Sequence, residues 1–286
     1  MGKITKQQLR LHEQAEQLLW GGDKPLRRDE VAFCLEHWDP RAAAGKHVAR
    51  NQAYFTPMTL ARDTAMYVGG DGRRVVDICA GIGRLAFAVL EANLWRPQEV
   101  QLTAVELNPD YVRVGRRLLP QVEWICGDCF DRDLWRRLPR FDEAISNPPF
   151  GSVVTAGDTG WIGYRGPAGL MLAAVGLQVA RLGLRIILPQ SQTVFRYSGR
   201  CRGRGAPHTA YAESYTGYLE KFLAGRPSLE WHHSSLDTTL PLYQSEWRGA
   251  SPLIEVVTLC DRDGALLPLA HAPTPPSLPR PVCRWE

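Results

Sequence analysis

The chain has 286 residues, of which 44% are hydrophobic and 22% are charged, a composition typical of a soluble globular protein with one large α/β domain or two small ones. Its formal net charge of +4 is too small to indicate a partner by itself. No apolar run approaches the roughly 20 residues that a membrane-spanning helix needs, so we expect no membrane partner. The first residues lack the apolar stretch of a signal peptide, and the seven cysteines are scattered through the chain. Both features favour a location in the reducing cytoplasm.

The first 50 residues are predicted to form an N-terminal helical extension (1–50), with short helices over residues 4–19 and 28–37. Helices this short need a larger body to pack on. The next helix is predicted to follow Thr56, which we expect to cap it, with Pro57 at its first position.

From residue 73 the sequence alternates between short apolar strands and helix-length segments, which indicates βαβ units and a parallel sheet. Strands are predicted within 73–80, 100–107, 121–128, 141–147, 183–190, 229–236 and 251–261. Helices are predicted over 84–93, 109–118, 132–138, 169–181 and 210–223. A core domain is therefore expected over residues 51–265, with a basic insert at about 190–208, and a proline-rich tail over 266–286.

The cysteine and histidine spacing predicts no metal site. Cys126 and Cys129 form one CxxC pair, but no second pair has the spacing of a metal-ligand set. His232 and His233 are adjacent on a predicted strand, where neighbouring side chains face opposite ways. We interpret both histidines as structural or surface residues.

The loop after the first strand, "DICAGIGRLA", has the spacing G-x-G-x-x-A through Gly81, Gly83 and Ala86. Glycines at this spacing let the backbone approach a ligand closely at a helix N-terminus. Glu106 ends the next strand, where an acid can bind two ribose hydroxyls. These residues alone fit either NAD or S-adenosylmethionine.

Two carboxylates favour S-adenosylmethionine over NAD. Asp77 ends the first strand, where it would repel a pyrophosphate but suits a cation such as the amino group of a methionine moiety. Asp128 ends the third strand, where it can accept from the exocyclic amine of an adenine ring. Together with Glu106 and Asn147, these acids end four successive strands, and ligands of open α/β sheets lie beyond such ends.

Five motifs occur in order over about residues 54–190: "YFTPMTLA", "DICAGIGRL", "AVELNP", "GDCF" and "NPPFG". With this order and spacing the chain resembles class I S-adenosylmethionine-dependent methyltransferases, specifically those that modify the N6 amine of adenine. The resemblance implies a Rossmann-like α/β fold with helices on both faces of a seven-stranded sheet. Six strands would be parallel, and the segment "LIEVVTLCD" suits an antiparallel strand near the end.

The resemblance also implies roles for the residues at the site. The cofactor would be S-adenosyl-L-methionine, with the methionine end near the Thr-Pro pair and the glycine loop, and the adenine near "GDCF". The implied cofactor-binding residues are Phe55, Thr56, Pro57, Asp77, Ala80, Gly81, Gly83, Glu106, Leu107, Asp128, Cys129 and Phe130. The implied catalytic residues are Asn147, Pro148, Pro149 and Phe150.

The chemistry of adenine accounts for the string "NPPF". The amine is a poor nucleophile because its lone pair is delocalised into the ring. The side-chain oxygen of Asn147 and the carbonyl oxygen of Pro148 can each accept one of its hydrogens and direct the lone pair toward the methyl group. Phe150 would stack on the ring of an extruded base.

Three substrates are compatible with these motifs: adenine in duplex DNA, adenine in structured RNA, and the glutamine side chain of a protein such as a release factor. Phe150 and the Thr-Pro pair favour nucleic acid. A non-catalytic binding scaffold is disfavoured because no motif residue is degraded. We therefore predict a monomeric DNA adenine-N6 methyltransferase with relaxed sequence specificity.

An arginine-rich window supports a nucleic-acid partner. Residues 159–212 contain seven arginines and no lysine, aspartate or glutamate. A solvated surface loop is the alternative interpretation. The predicted phosphate-contacting residues are Arg196, Arg200, Arg202 and Arg204.

Overall fold

The computed structural model describes residues 4–43, 55–70, 72–150, 159–199, 215–247 and 252–262. A seven-stranded sheet with the order β3-β2-β1-β4-β5-β7-β6 lies at the centre of this part of the chain. The strands are β1 (Arg74–Ile78), β2 (Gln101–Glu106), β3 (Glu123–Cys126), β4 (Phe141–Ser146), β5 (Ala180–Pro189), β6 (Leu229–His233) and β7 (Ile254–Asp261). Strand β7 is antiparallel to both neighbours and the other six strands are parallel, which confirms the predicted sheet.

Helices cover both faces of the sheet, as predicted. Within the described ranges the α-helices are α1 (Lys6–Trp20), α2 (Arg28–His37), α3 (Pro40–Ala43), α4 (Met58–Ala65), α5 (Arg84–Ala92), α6 (Pro109–Leu118), α7 (Arg132–Arg137), α8 (Ala168–Val179), α9 (Gly217–Ala224) and α10 (Pro241–Gln244). None of these helices is long and apolar enough to cross a membrane.

The central strands are buried on both faces, which explains their continuous apolar sequences. Successive residues of β1 enter different cores: Val75 joins the cluster with α1, α2, α4, α5 and α6, and Val76 joins the cluster with α7, α8 and α9. The sheet therefore lies between two helical layers, and its strand ends are left for the loops that carry the motifs.

The two N-terminal helices pack into the first of these layers. Ala15 and Leu19 of α1 and Leu35 of α2 are fully buried in the same cluster as Val75. Arg117 of α6 donates from Nε to the carbonyl of Leu19 at 2.8 Å. These contacts give the short helices the larger body that their length requires.

The structure corrects the predicted cap of α4. The helix begins at Met58, with Pro57 in the N-cap position and no side-chain cap bond. The Thr56 hydroxyl instead accepts a hydrogen bond from Asn147 Nδ2 at 2.9 Å. The threonine therefore holds a distant loop and not its own helix.

Other elements also differ from the sequence-based prediction. Strand β5 begins at Ala180 because α8 ends at Val179, two residues earlier than expected. The four-residue helices α3 and α10 were not predicted. Helix α9 begins at Gly217; residues 210–214 of its predicted span, like the tail over 266–286, lie outside the described residues.

Candidate active site

The glycine loop follows β1 and the "NPPF" segment follows β4, and the carboxyl ends of these two neighbouring strands are aligned. Strands β1 and β4 are paired, with Ile78 opposite Ser146, and Ser146 Oγ donates to the Ile78 carbonyl at 2.6 Å. The chain continues from β1 toward β2 on one side and from β4 toward β5 on the other. Such a reversal of strand order opens a crevice in which ligands of α/β sheets bind.

The backbone of the glycine loop requires residues without a side chain. Gly81 and Gly83 have φ values of +58° and +96°, in the left-handed region. A Cβ atom on Gly83 would lie 2.9 Å from Leu119 Cδ1 and 3.0 Å from Trp124 Cζ2. The loop therefore turns tightly against α6 and β3, and Ala80, between Cys79 and Gly81, is buried within it.

Asp77 ties β1 to the helix that follows the loop. Its side chain is fully buried, and Oδ2 accepts from the Ala86 amide at 3.0 Å. Burial raises the pKa of this carboxyl well above its ordinary value. Its other oxygen, Oδ1, has no partner in the part of the chain that the structure describes. A cation reaching Oδ1 would satisfy that atom and stabilise the charged form.

Glu106 joins the end of β2 to the glycine loop. Oε2 accepts from the Gly81 amide at 2.9 Å, and Oε1 accepts from the Asn108 amide at 2.8 Å. Burial raises the pKa of Glu106 above its ordinary value, and these backbone hydrogen bonds oppose the shift. The carboxylate is thus held beside the loop, where it can accept from hydroxyl groups.

The "GDCF" residues follow β3, so they lie beside the end of β2 at the carboxyl edge of the sheet. Asp128 Oδ1 accepts from the Phe130 amide at 2.9 Å. Phe130 is buried, whereas Leu107 is 65% exposed, so Leu107 is the more accessible of the two predicted adenine-packing residues. Cys129 Sγ lies 3.7 Å from Sγ of Cys79, a residue with a left-handed φ of +62° in the glycine loop.

The "NPPF" segment is held from two directions. Asn147 Nδ2 donates to Thr56 Oγ1, which directs the amide nitrogen toward the start of α4. Pro148 is buried and Pro149 is half-buried. Half-buried Phe150 packs against a hydrophobic cluster formed by Leu60, Ile187, Tyr243, Trp247, Ile254 and Val256. Gly151 lies outside the described residues.

Arg84, the first residue of α5, connects this site to the N-terminal helices. Its buried guanidinium donates to the carbonyls of Leu35 at 2.6 Å, Glu36 at 3.2 Å and Thr56 at 2.9 Å. Two of these carbonyls belong to the last turn of α2, where helix carbonyls lack intrahelical donors. The guanidinium carbon also lies 5.2 Å from the centre of the Phe55 ring.

The described arginines of the arginine-rich window differ in their partners and exposure. Arg181 Nε pairs with Asp142 Oδ1 at 2.7 Å at the surface, with 57% of its side chain exposed, and half-buried Arg185 donates to the Thr64 carbonyl at 3.0 Å. Arg165 is exposed. Arg196 is exposed in the segment that follows β5. The other three predicted phosphate-contacting residues, Arg200, Arg202 and Arg204, lie outside the described residues.

A buried carboxylate fixes the segment that carries Arg196. Glu255 of β7 is 1% exposed, and its oxygens accept from the amides of Tyr197 and Ser198, the side-chain amide of Gln190 and the Ser198 hydroxyl, at 2.8–2.9 Å. This network holds the start of the basic insert beyond the carboxyl end of β5, on the same edge of the sheet as "NPPF".

Sequence reasoning missed the residues that support the site from a distance. In the sequence, Glu255 has no feature that distinguishes it from other strand residues. Cys79 only separates Asp77 from the glycines, and no role was predicted for it. Only Arg84 could have been noticed in the sequence. It is a charged residue at the first position of a largely apolar helix, which has no solvated face to accommodate it. Its partners are 28 to 49 residues away and could not be read from spacing.

The comparisons with known proteins agree on the fold. No protein family and no curated protein matches the chain in sequence. A type I restriction-modification methyltransferase subunit from Streptococcus thermophilus matches in structure with a TM-score of 0.54 and 17% identity, over 82% of this chain and 49% of that subunit. A protein from Listeria monocytogenes described as a class I S-adenosylmethionine-dependent methyltransferase matches with a TM-score of 0.57 and 12% identity, over 90% of this chain and 81% of that protein.

This chain spans about half the length of the restriction-modification subunit, and both identities are low. The similarity therefore establishes the fold. The chain has the fold of class I S-adenosylmethionine-dependent methyltransferases, for which S-adenosyl-L-methionine is the expected cofactor.

Proposed function

We propose that the protein transfers the methyl group of S-adenosyl-L-methionine to the N6 amine of adenine in duplex DNA. The observation that carries the proposal is the pairing of β1 with β4, which brings the glycine loop and "NPPF" to one crevice. A cofactor site and a pair of amine acceptors are then adjacent, as direct transfer between two bound molecules requires.

The residues around the glycine loop fit the cofactor chemically. Asp77 Oδ1 is a buried acceptor without a partner among the described residues, and it suits an ammonium group. Glu106 is half-buried and suits ribose hydroxyls, while Asp128 suits an adenine amine. When bound, S-adenosylmethionine supplies an activated methyl group, so no metal or base is needed to create the electrophile.

The "NPPF" residues would prepare the target amine. Asn147 Oδ1 and the Pro148 carbonyl would accept its two hydrogens and draw the nitrogen toward tetrahedral geometry. The bond from Asn147 Nδ2 to Thr56 supports this role, because it fixes the amide with its nitrogen turned toward α4. Phe150, supported by the cluster behind it, would stack on the extruded base.

Two observations support DNA as the substrate. The subunit that shares the fold is named as the methyltransferase subunit of a type I restriction-modification system, which favours DNA over RNA or protein in our proposal. Arg196 is exposed after β5 on the edge of the sheet that carries "NPPF", where it would neutralise a phosphate, and we propose the same role for Arg200, Arg202 and Arg204 from the sequence. Adenine in RNA and glutamine in protein are the alternatives that the assay below separates.

In the deciding experiment, the full chain is incubated with labelled S-adenosylmethionine and, in separate reactions, with duplex DNA, structured RNA or protein. We expect label in DNA, recovered as N6-methyladenine. Asn147→Ala should lower turnover by roughly 10²–10³-fold, the usual effect of removing one positioned polar contact to a reacting group. Calorimetry should find its cofactor affinity within a few-fold of wild type. Label in RNA or protein alone, or full turnover in Asn147→Ala, would overturn the proposal.

A further inference from the structure

We propose that Glu230, His232 and Cys260 form a zinc site that clamps the edge strand β6 to β7. The three side chains offer one ligand atom each, and these atoms all lie within 4.8 Å of one another. The site does not depend on the proposed methyltransferase function. The spacing of cysteines in the sequence predicted no metal, because these ligands come from strands 30 residues apart.

The pairing of the two strands puts the three residues on one face of the sheet. Glu230 and His232 are two apart on β6, so their side chains point the same way. Cys260 is directly opposite Glu230 in the antiparallel register. Side chains at such opposed positions have Cβ atoms about 4.5–5.5 Å apart, close enough to share an ion.

The ligand atoms are spaced somewhat more widely than those around a tetrahedral zinc ion, since all three lie within 4.8 Å of one another. Glu230 Oε2 lies 3.4 Å from His232 Nε2 and 3.9 Å from Cys260 Sγ. Zinc bonds of about 2.0–2.3 Å in tetrahedral geometry separate neighbouring ligand atoms by about 3.4–3.6 Å. Small rotations of the partly exposed side chains would complete the geometry, and water would take the fourth position.

The surroundings of Glu230 suit a ligating carboxylate. Arg262 Nε donates to Oε1 at 2.7 Å, so one oxygen is oriented by the arginine while Oε2 faces the histidine and the cysteine. Metal-ligating carboxylates are commonly oriented by such outer partners.

The donor set selects a borderline-soft cation. A thiolate and an imidazole favour Zn²⁺ over Mg²⁺ or Ca²⁺, which prefer oxygen ligands. On binding, the Cys260 thiol would give its proton to solvent as the zinc–sulfur bond forms, and His232 would bind through neutral Nε2.

The position of the cluster indicates a stabilising role. Glu230 is near the start of β6, which runs parallel to β5, so the cluster lies at the end of the sheet opposite "NPPF". Strand β6 has one neighbour in the described sheet. A metal bridge between β6 and β7 would hold this edge in place, and binding to the folded state would raise the stability of the chain.

The test uses the untagged full chain, stripped of metal with a chelator. Titration with Co²⁺ should produce a thiolate-to-cobalt charge-transfer band that saturates at one ion per chain and is displaced by Zn²⁺. Zn²⁺, but not Mg²⁺, should raise the unfolding temperature. Cys260→Ser should lose the band, and His232→Gln should weaken binding by at least about tenfold.

Matched variants separate this site from other thiols and imidazoles. His233→Gln alters the neighbour that faces the other side of the sheet and stacks on Tyr197 at 4.8 Å. Cys126→Ser removes an exposed cysteine on β3. Both should bind Co²⁺ as wild type does. A wild-type chain without a thiolate band, or a band that survives in Cys260→Ser, would overturn the proposal. Because His232 is 57% exposed, its variant should fold and provides an independent check.

Discussion

Asn147 acts in a pair with Thr56, and the hydrogen bond between them is the most specific residue-scale feature of the site. The resemblance of the motifs implied that Thr56 lies near the cofactor, whereas its hydroxyl contacts the amide that is proposed to hold the substrate. The two roles predict different kinetics, because a cofactor contact changes affinity and an amide-positioning contact changes turnover.

Thr56→Val keeps the shape of the side chain and removes the hydroxyl. We expect turnover at saturating cofactor to fall by roughly 5- to 150-fold, because an amide N–H without its partner costs about 1–3 kcal/mol. Thr56→Ser should restore most of the loss. Steady-state kinetics together with calorimetry would measure both effects. Unchanged turnover with weakened cofactor binding would assign Thr56 to the cofactor instead.

The raised pKa of Glu106 leads to a prediction of how cofactor affinity depends on pH. Its pKa is raised by burial, so the carboxylate becomes protonated at a higher pH than an exposed glutamate does. Protonation removes the charge that accepts from ribose hydroxyls, so cofactor affinity should fall as the pH decreases through the raised pKa. Glu106→Gln should bind roughly 10- to 150-fold more weakly at neutral pH, a loss of about 1.5–3 kcal/mol.

The same variant should also flatten the pH dependence, and calorimetric titration across the acidic range would show whether it does. Asp77 has a raised pKa too, and it faces the same loop. Asp77→Asn therefore serves as the comparison: if it removes the pH dependence while Glu106→Gln retains it, the titrating group is Asp77.

At the scale of elements, Arg84 of α5 joins α2 to the segment that precedes α4 through one buried guanidinium. Replacing it with methionine keeps much of the volume and removes every donor to the carbonyls of Leu35, Glu36 and Thr56. We expect the free energy of unfolding to fall by at least about 1.5–3 kcal/mol, the value of a hydrogen bond from a charged donor. Turnover should also fall, because Thr56 loses the bond that holds its backbone.

Arg136→Met is the control for Arg84→Met. Arg136 forms a partly exposed ion pair with Asp133 at 3.1 Å on α7, and such pairs contribute about 0–1 kcal/mol. Urea unfolding of both variants would compare them. Equal stability of the two variants would mean that the hydrogen bonds of Arg84 add nothing measurable to the stability of the fold.

The elements show which parts of the fold follow from local sequence. Helices α2 and α6 begin and end at the predicted residues because apolar periodicity and end signals coincide there. The start of β5 was wrong, since the strand is extended by pairing with β4 through a register shift near Phe141. Helix α10 was missed because four residues cannot show periodicity, and it is held by tertiary contacts such as Tyr243 to Asp63 at 2.6 Å.

In the candidate site, too, some features follow from local sequence and others from tertiary contacts. Residues at the ends of strands could be identified in order, because the parallel sheet brings consecutive carboxyl ends to one edge. The contacts of Thr56, Arg84 and Glu255 join segments far apart in sequence, and only the packed fold determines them. The motifs therefore predicted which strand ends carry the candidate residues, but not which residues hold those ends in place.

At the scale of the whole molecule, the positive charge proposed to contact DNA is smaller than composition suggests. Arg181 and Arg185 are paired with groups of the fold, whereas Arg196, in the segment after β5, is exposed. That segment starts from a fixed network around Glu255, and it lies on the same edge as "NPPF". This arrangement favours phosphate contacts near the target base, which position a duplex without reading its sequence.

The N-terminal helices do not change that expectation. The apolar faces of α1 and α2 are buried against the sheet, with Ala15, Leu19 and Leu35 fully enclosed. Between β5 and β6, the described residues contain one α-helix, α9, of eight residues. Among the described residues we find no pair of helices arranged to enter a major groove as a helix-turn-helix does.

We therefore predict relaxed specificity, with at most one or two neighbouring bases discriminated and many adenine contexts methylated. Base discrimination requires side chains that reach base edges, worth about 1–3 kcal/mol for each good bidentate pair, whereas arginines on phosphates favour all sequences alike. Sequencing of N6-methyladenine across a plasmid treated with the purified chain would test this, with Asn147→Ala as the unmethylated control. Modification confined to one fixed motif would contradict the prediction, and it would assign base recognition to segments outside the described residues, with Arg200, Arg202 and Arg204 as the first candidates.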